Sequence, residues 1–219
     1  MIDVKDWLSC LMVKLEETFD ERLWFVGLQG SYARGEATPT SDIDVVVILK
    51  DLTIEDLSRY GEILDSLPHR ELSCGFIAGL QESVHLEPIE RIQYVHDTTT
   101  LKGTLVTLLE RVDDEAIDRA IKQGACAIYH ACVHNMLHEK SDDVLKGLYK
   151  QACFVVQAIT YQQMGRFVTR HADLVQCSSG LEHRVVSTFL ALKKGESIEF
   201  QSQTELLFQW SRKWIGSHP

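Results

Sequence analysis

Residues 28–49 read "LQGSYARGEATPTSDIDVVVIL", and this stretch decides the fold. Asp42 and Asp44 stand at the head of an apolar run, twelve residues after the Gly30–Ser31 pair. An uncompensated carboxylate at the edge of a sheet core costs on the order of several kcal/mol, so the pattern calls for positive charge nearby. "DIDVVVIL" has the near-continuous apolar character of a strand buried on both faces. Upstream, "LWFVGL" (23–28) is short, aromatic and β-branched, and it stops at the polar "QGS", as a strand entering a tight turn does. Side chains i and i+2 of a strand share a face, with Cα atoms about 6–7 Å apart, so Asp42 and Asp44 can converge on one or two divalent cations. Hard cations such as Mg²⁺ take oxygen ligands and prefer one or two carboxylates plus substrate phosphates. Gly30 lets the backbone approach a phosphate closely, while the Ser31 hydroxyl and the N–H groups opening the next helix face the anion.

Outward from this stretch the periodicity predicts helices and one further strand. Over 3–20, Trp7, Leu8, Leu11, Met12, Leu15 and Phe19 fall at helical spacing behind Asp3 as N-cap. Thr53 and Asp56 open a second helix whose stripe runs through Leu57, Tyr60, Leu64 and Leu67 to Pro68. "RELSCGFIAG" (70–79) follows as a third strand. From about residue 100 the chain reads as all-helical, with stripes over 115–138, 142–163 behind Ser141, 181–193 and 203–215. Ser202 and Glu205 form a capping box for the last of these, and Gly165 and Gly195 fall where helices end.

Composition limits the class. A 45% hydrophobic content suits a chain with a packed core. No apolar run approaches the roughly 20 residues of a membrane-spanning helix, and the acidic "MIDVKDWLSC" is unlike a secretory leader, so no membrane association and a cytoplasmic location are expected. The six cysteines form no CxxC pair, which favours reduced thiols over disulfides or zinc. The net charge of −10 is uneven. Residues 1–110 hold 9 Lys+Arg against 20 Asp+Glu, and residues 111–219 hold 13 against 12. That balance argues against general nucleic-acid binding and suits a cationic substrate, although an acidic surface ordinarily serves solubility.

"GSYARGEATPTSDID" resembles the GS-x-x-RG…SD-x-D signature of the DNA polymerase β-like nucleotidyltransferase superfamily, whose bacterial members include minimal nucleotidyltransferases and aminoglycoside adenylyltransferases. The resemblance implies an α+β protein: a nucleotidyltransferase fold with a short mixed sheet over 1–108, then an all-α helical bundle over 109–219. It also implies ATP as substrate, Mg²⁺ on Asp42 and Asp44, and Gly30, Ser31 and Ser41 at the nucleotide phosphates. Arg34 reads equally as a phosphate contact or as a salt bridge across the turn. In this superfamily a third carboxylate comes from the neighbouring strand, and "RELSCGF" offers either Glu71 or Ser73 there; Glu71 is preferred, with both expected on one strand face. "KQACFVVQAITYQQMGRFVTRHADL" (150–174) is similar to the helix-then-"TGxxxxK" segment of aminoglycoside adenylyltransferases. Arg170 stands in place of that lysine, with Lys150 and Lys146 as further cations for the triphosphate.

The expected function is transfer of AMP from ATP to a hydroxyl of a small, aminoglycoside-like acceptor. The alternatives are a protein-modifying, antitoxin-type nucleotidyltransferase with a protein partner, and a nucleotide- or partner-binding member without the chemistry. Tyr32 reads as packing, and His130, His134 and His138 as a polar helix face. "RFVTRH" (166–171) fits the R-x4-H pattern of HEPN-type ribonucleases, but Arg91–His96 fits it too, so the string carries little weight.

Overall fold

The structure is a computed structural model that describes residues 2–110 and 112–216. It divides into two compact units, Met1–Arg111 and Val112–Pro219. The architecture is α+β, and among the described residues all strands lie in the first unit.

The N-terminal unit opens with α1 (Val4–Phe19), whose N-terminal amides on Lys5 and Asp6 donate to the Asp3 carboxylate at 3.0 and 3.3 Å. β1 (Leu23–Gln29), the one-turn helix α2 (Gly30–Ala33) and β2 (Ile43–Leu49) then lay down the quoted stretch as a strand, a turn and a strand. α3 (Ile54–Asp65) crosses over to β3 (Ser73–Gly79), which lies parallel to β2. α4 (Leu80–Val84) and α5 (Pro88–His96) lead into β4 (Thr99–Lys102), antiparallel to β1. The sheet is mixed, in the order β3-β2-β1-β4.

Alternation along β2 sends Ile43, Val45, Val47 and Leu49 to one face and Val46 and Ile48 to the other. On the first face they meet Leu11 and Leu15 of α1 and Tyr60 and Ile63 of α3. The Trp7 indole N–H, donating to the Pro68 carbonyl at 2.8 Å, fastens α1 to the end of that crossover. On the second face Val46 and Ile48 pack with Phe25, Leu105 and Leu108. Asp44 shares this second face, at its open end.

β4 and α3 depart from the sequence reading. β4 lies at 99–102, where helix was expected; it is a four-residue edge strand, too short for an alternating pattern to show. In α3, Leu57 is exposed and the buried stripe is Asp56, Tyr60 and Ile63. Asp56 takes a core position because Arg22 grips it with two hydrogen bonds of 2.6 and 2.8 Å, while Thr53 and Asp56 complete the capping box.

The C-terminal unit is helical: α6 (Asp114–His134) running into a π-helical turn (Asn135–Glu139), α7 (Asp142–Met164), α8 (His171–Cys177), α9 (Gly180–Lys193) and α10 (Phe200–Gly216). Ile121, Ile128, Tyr149, Val185, Leu207 and Trp210 are buried in this unit. Ser141 caps α7 as expected, accepting from the Val144 amide at 3.3 Å. Ser202 does not cap α10: the helix begins two residues earlier, and the Ser202 hydroxyl donates to the Glu199 carbonyl at 3.1 Å. α8 had no counterpart in the sequence reading.

Candidate active site

The site is built where β1 turns into β2. β1 and β2 are antiparallel with Gln29 opposite Asp44, so the Gly30 turn returns directly over the strand that carries the aspartates. Gly30 has φ +69°, a conformation L side chains rarely adopt, and a Cβ built on it would strike the Asp44 carboxylate. The Asp44 side chain therefore fills the space left by the missing Cβ, and Gly30, Ser31 and Asp44 form one contiguous surface. Asp42 lies just before β2 and is exposed, two residues from Asp44.

Registers extend this point into a row across the sheet. Cys74 of β3 is opposite Asp44, Asp44 is opposite Gln29, and Leu28 pairs with Thr99, which brings Thr98 beside Gln29. The Gln29 amide donates to the Thr98 hydroxyl at 2.9 Å. Directly paired residues share a face, so a thiol, a carboxylate, an amide and a hydroxyl stand in line. Partial burial and then the Asp44 charge push the Cys74 thiol up from its ordinary pKa, which keeps it protonated and within hydrogen-bonding reach of Asp44.

The expectation that Glu71 and Ser73 share a strand face is corrected here. β3 begins at Ser73, and Glu71 belongs to the 3₁₀ turn Arg70–Leu72, exposed and 3.7 Å from the His69 ring. His69 adopts φ +60°, which breaks the extended run before the strand starts. Ser73 is opposite Ile43, with its hydroxyl oxygen buried and without a hydrogen-bond partner. The β3 side chain that register sets beside Asp44 is Cys74, a residue that neither reading of "RELSCGF" selected.

Arg34 makes salt bridges across and beyond the turn. Its Nη1 donates to Asp97 Oδ2 at 2.8 Å and its Nε to Glu36 Oε2 at 3.3 Å, and its side chain is only 12% exposed. Asp97, at the joint between α5 and β4, is 5% exposed; burial raises its pKa to about 6 against the opposing pull of Arg34, with Glu36 and Asp44 adding to the rise. The sequence reading did not single out Asp97. Nothing local marks it except its place just before the threonines of β4.

The remaining expected residues have these settings. Ser31 is half-buried in the turn, with its carbonyl accepting from the Glu36 amide at 2.8 Å. Ser41 closes the loop by accepting from the Thr38 amide at 2.8 Å. Tyr32 packs against the α1–α3 side of the core, as expected. In the C-terminal unit, Lys150 is exposed on α7, Arg170 is the exposed residue ahead of α8, and Lys146 pairs with Asp143 at 3.2 Å. His134 and His138 have ring centroids 4.9 Å apart, and among the described residues no group of three or more His, Cys, Asp or Glu is placed to hold a metal ion. The donors at Asp42 and Asp44 are hard oxygens, the kind Mg²⁺ takes when substrate phosphates complete its shell.

Residues 14–95, from within α1 to the last turn of α5, match the nucleotidyltransferase domain family. That span is similar to nucleotidyltransferase domains. It contains the Gly30 turn, Asp42, Asp44, Glu71 and Cys74, while Asp97 lies just beyond it. Among solved structures of similar fold is spectinomycin adenyltransferase from Enterococcus faecialis, determined with ATP and spectinomycin. The alignment covers 96% of this chain and 98% of that one, with a TM-score of 0.61 and 14% identity, and at that identity it is a likeness of fold. A search of curated protein sequences found no match.

Proposed function

We propose that the nucleotidyltransferase domain transfers AMP from ATP to a hydroxyl of a small acceptor. The observation that carries this reading is the Gly30 turn lying against Asp44 within the matched span. Asp42 and Asp44 would hold Mg²⁺, which supplies charge neutralisation for the triphosphate when bound. The Gly30–Ser31 backbone and the Ser31 hydroxyl receive the terminal phosphates, and Ser41 fixes the far end of the loop that carries them. In the transfer the acceptor oxygen bonds to the α-phosphorus while the bond to the bridging oxygen breaks and pyrophosphate leaves. Glu71 takes the acceptor's proton; β2 and β3 are parallel and begin at Ile43 and Ser73, so Glu71 lies at the same end of the sheet as Asp42 and is open to solvent.

The acceptor we infer is hydroxylated and cationic, of aminoglycoside kind. Its support is the acidic balance of residues 1–110 and the fold shared with an enzyme solved with ATP and spectinomycin. Titration of a non-hydrolysable ATP analogue with and without Mg²⁺, on the native protein and on Asp44→Ala, tests the nucleotide site. Mg²⁺-dependent binding that is lost in the variant is the expected result, and no binding by the native protein would overturn it. Cys74 beside Asp44 favours one second reading, a nucleotide-binding member that performs no transfer. Pyrophosphate release across a panel of aminoglycosides separates the two, since the second reading predicts tight Mg²⁺-nucleotide binding and no release.

A further inference from the structure

Asp97 is an expensive residue to bury. Its Oδ2 is satisfied by Arg34 at 2.8 Å, but its Oδ1 is buried without a hydrogen-bond partner. An orphaned buried carboxylate oxygen destabilises a fold and calls for an explanation other than stability. The geometry around Arg34 supplies one.

The turn that carries Gly30 and Ser31 is closed by three backbone hydrogen bonds: Arg34 N–H to the Gly30 carbonyl at 3.1 Å, Gly35 N–H to Tyr32 at 3.2 Å, and Glu36 N–H to Ser31 at 2.8 Å. Each spans only a few residues, so together they fix the shape of the turn but not its position over the sheet. Beside the core packing of Tyr32 and Ala33, Arg34 supplies a long-range polar tie, because its guanidinium reaches 63 residues along the chain to Asp97. Asp97 is itself held on the sheet side: its backbone N–H donates to the Gln93 carbonyl at 2.7 Å, closing α5, and the next residue, Thr98, receives the Gln29 amide. Thr98 also abuts Gly27, so the joint rests directly on β1.

We propose that Asp97 is a positioning residue of the nucleotide site, acting through Arg34 to hold the 30–36 turn where Gly30 and Ser31 meet the phosphates. The inference rests on the reading of that turn as the phosphate-binding element. It gives Arg34 a role other than direct phosphate contact, since its Nη1 and Nε are already engaged by Asp97 and Glu36. It also accounts for the unsatisfied oxygen, because functional sites keep costly groups that the surrounding structure holds in place. The raised pKa of Asp97 is in keeping with this, since burial costs the charge more than the ion pair with Arg34 returns.

The test is calorimetric titration of the Mg²⁺ complex of a non-hydrolysable ATP analogue, on the full chain at pH 7.5, using native protein, Asp97→Asn, Arg34→Lys, the double variant and Asp44→Ala, with thermal melts of each. Lysine keeps the charge but lacks the planar fork that spans two carboxylates. Each single variant is expected to bind about tenfold more weakly. The double variant is expected to be no weaker than either single, because both break one tie. Asp97→Asn is expected to melt no lower than the native protein, which a merely structural role would not allow. Native-like affinity in either single variant, or losses that multiply in the double, would overturn the inference while leaving the nucleotide site standing. A native protein that binds no nucleotide would overturn the underlying reading, and this inference with it.

Discussion

Gly30 and Gly35 provide a matched pair of perturbations within one turn. Their φ angles are +69° and +68°, so alanine at either position bears the same left-handed penalty, about 1–2 kcal/mol. Their surroundings differ. A Cβ at Gly35 meets nothing within 4 Å, whereas one at Gly30 overlaps the Asp44 carboxylate and stands 2.9 Å from its Cγ and 3.2 Å from its Cβ. Ordinary contact distances for those atoms lie near 3.5–4 Å, so Gly30→Ala must push the carboxylate aside by about an ångström or lift the turn by as much. Displacements of that size in a reacting constellation cost up to about a hundredfold. Gly35→Ala should therefore lose several degrees of melting temperature, at about 2–4 °C per kcal/mol for a chain of this length, and Gly30→Ala at least as many. Gly30→Ala alone should lose Mg²⁺-dependent nucleotide affinity, by about tenfold or more. Calorimetric titration of the two folded variants side by side reads the difference. Equal affinities would mean that the contact between turn and carboxylate has no part in binding, and the central argument for the site would fall.

Cys74→Asp places a carboxylate beside Asp44 on the neighbouring strand, and Mg²⁺ affinity without nucleotide, read by titration, should tighten by about tenfold because ligand charge sets the affinity of such sites; unchanged affinity would show that β3 does not reach the ion. The folded pKa of Asp97, about 6, lies above its ordinary value of 3.8, so the folded state keeps a proton that the unfolded state releases between them. That contribution is full below about pH 4 and is lost as pH rises to about 6, a loss of roughly 3 kcal/mol that urea melts should show in the native protein and not in Asp97→Asn. Asp56 works in the opposite sense: hydrogen bonds from Arg22 depress its pKa, so its contribution is present above about pH 4 and fades as pH falls toward the depressed value. Arg22→Met strands that buried carboxylate and should cost about 3 kcal/mol at pH 7 by urea denaturation, with nucleotide affinity of the folded protein unchanged.

The legible parts of this sequence were those with local causes. Asp3 and Thr53 announce helix starts because a cap is satisfied within three residues, and "LWFVGL" and "DIDVVVIL" announce strands because burial on both faces demands continuous apolar character. The Gly30–Asp44 contact was not legible, since the missing Cβ of Gly30 was given to phosphate approach, and it follows from the antiparallel pairing of β1 with β2. Glu71 was misplaced because the kink at His69 shifts the start of β3, and a shift of one residue exchanges the two faces of a strand. Cys74 and Asp97 were illegible because each gains its place from register: one through the parallel pairing of β2 with β3, the other through a four-residue edge strand beside β1. The Arg22–Asp56 pair likewise spans 34 residues, and without it a buried aspartate on the α3 stripe contradicts helical periodicity.

The question raised by two aspartates at the head of a buried strand is answered by what Arg34 does. Its guanidinium is the natural candidate to offset Asp42 and Asp44, yet it is shared between Asp97 and Glu36 and serves the turn. Asp97 then adds negative charge near Asp44, whose charge contributes to the raised pKa of Asp97. An anionic triphosphate does not approach such a face alone, because like charges at short range in partly excluded solvent repel by several kT. On the proposed reading it comes with cations, for which Asp42 and Asp44 offer hard oxygens. On that reading the same acidic excess favours a cationic acceptor over a neutral one.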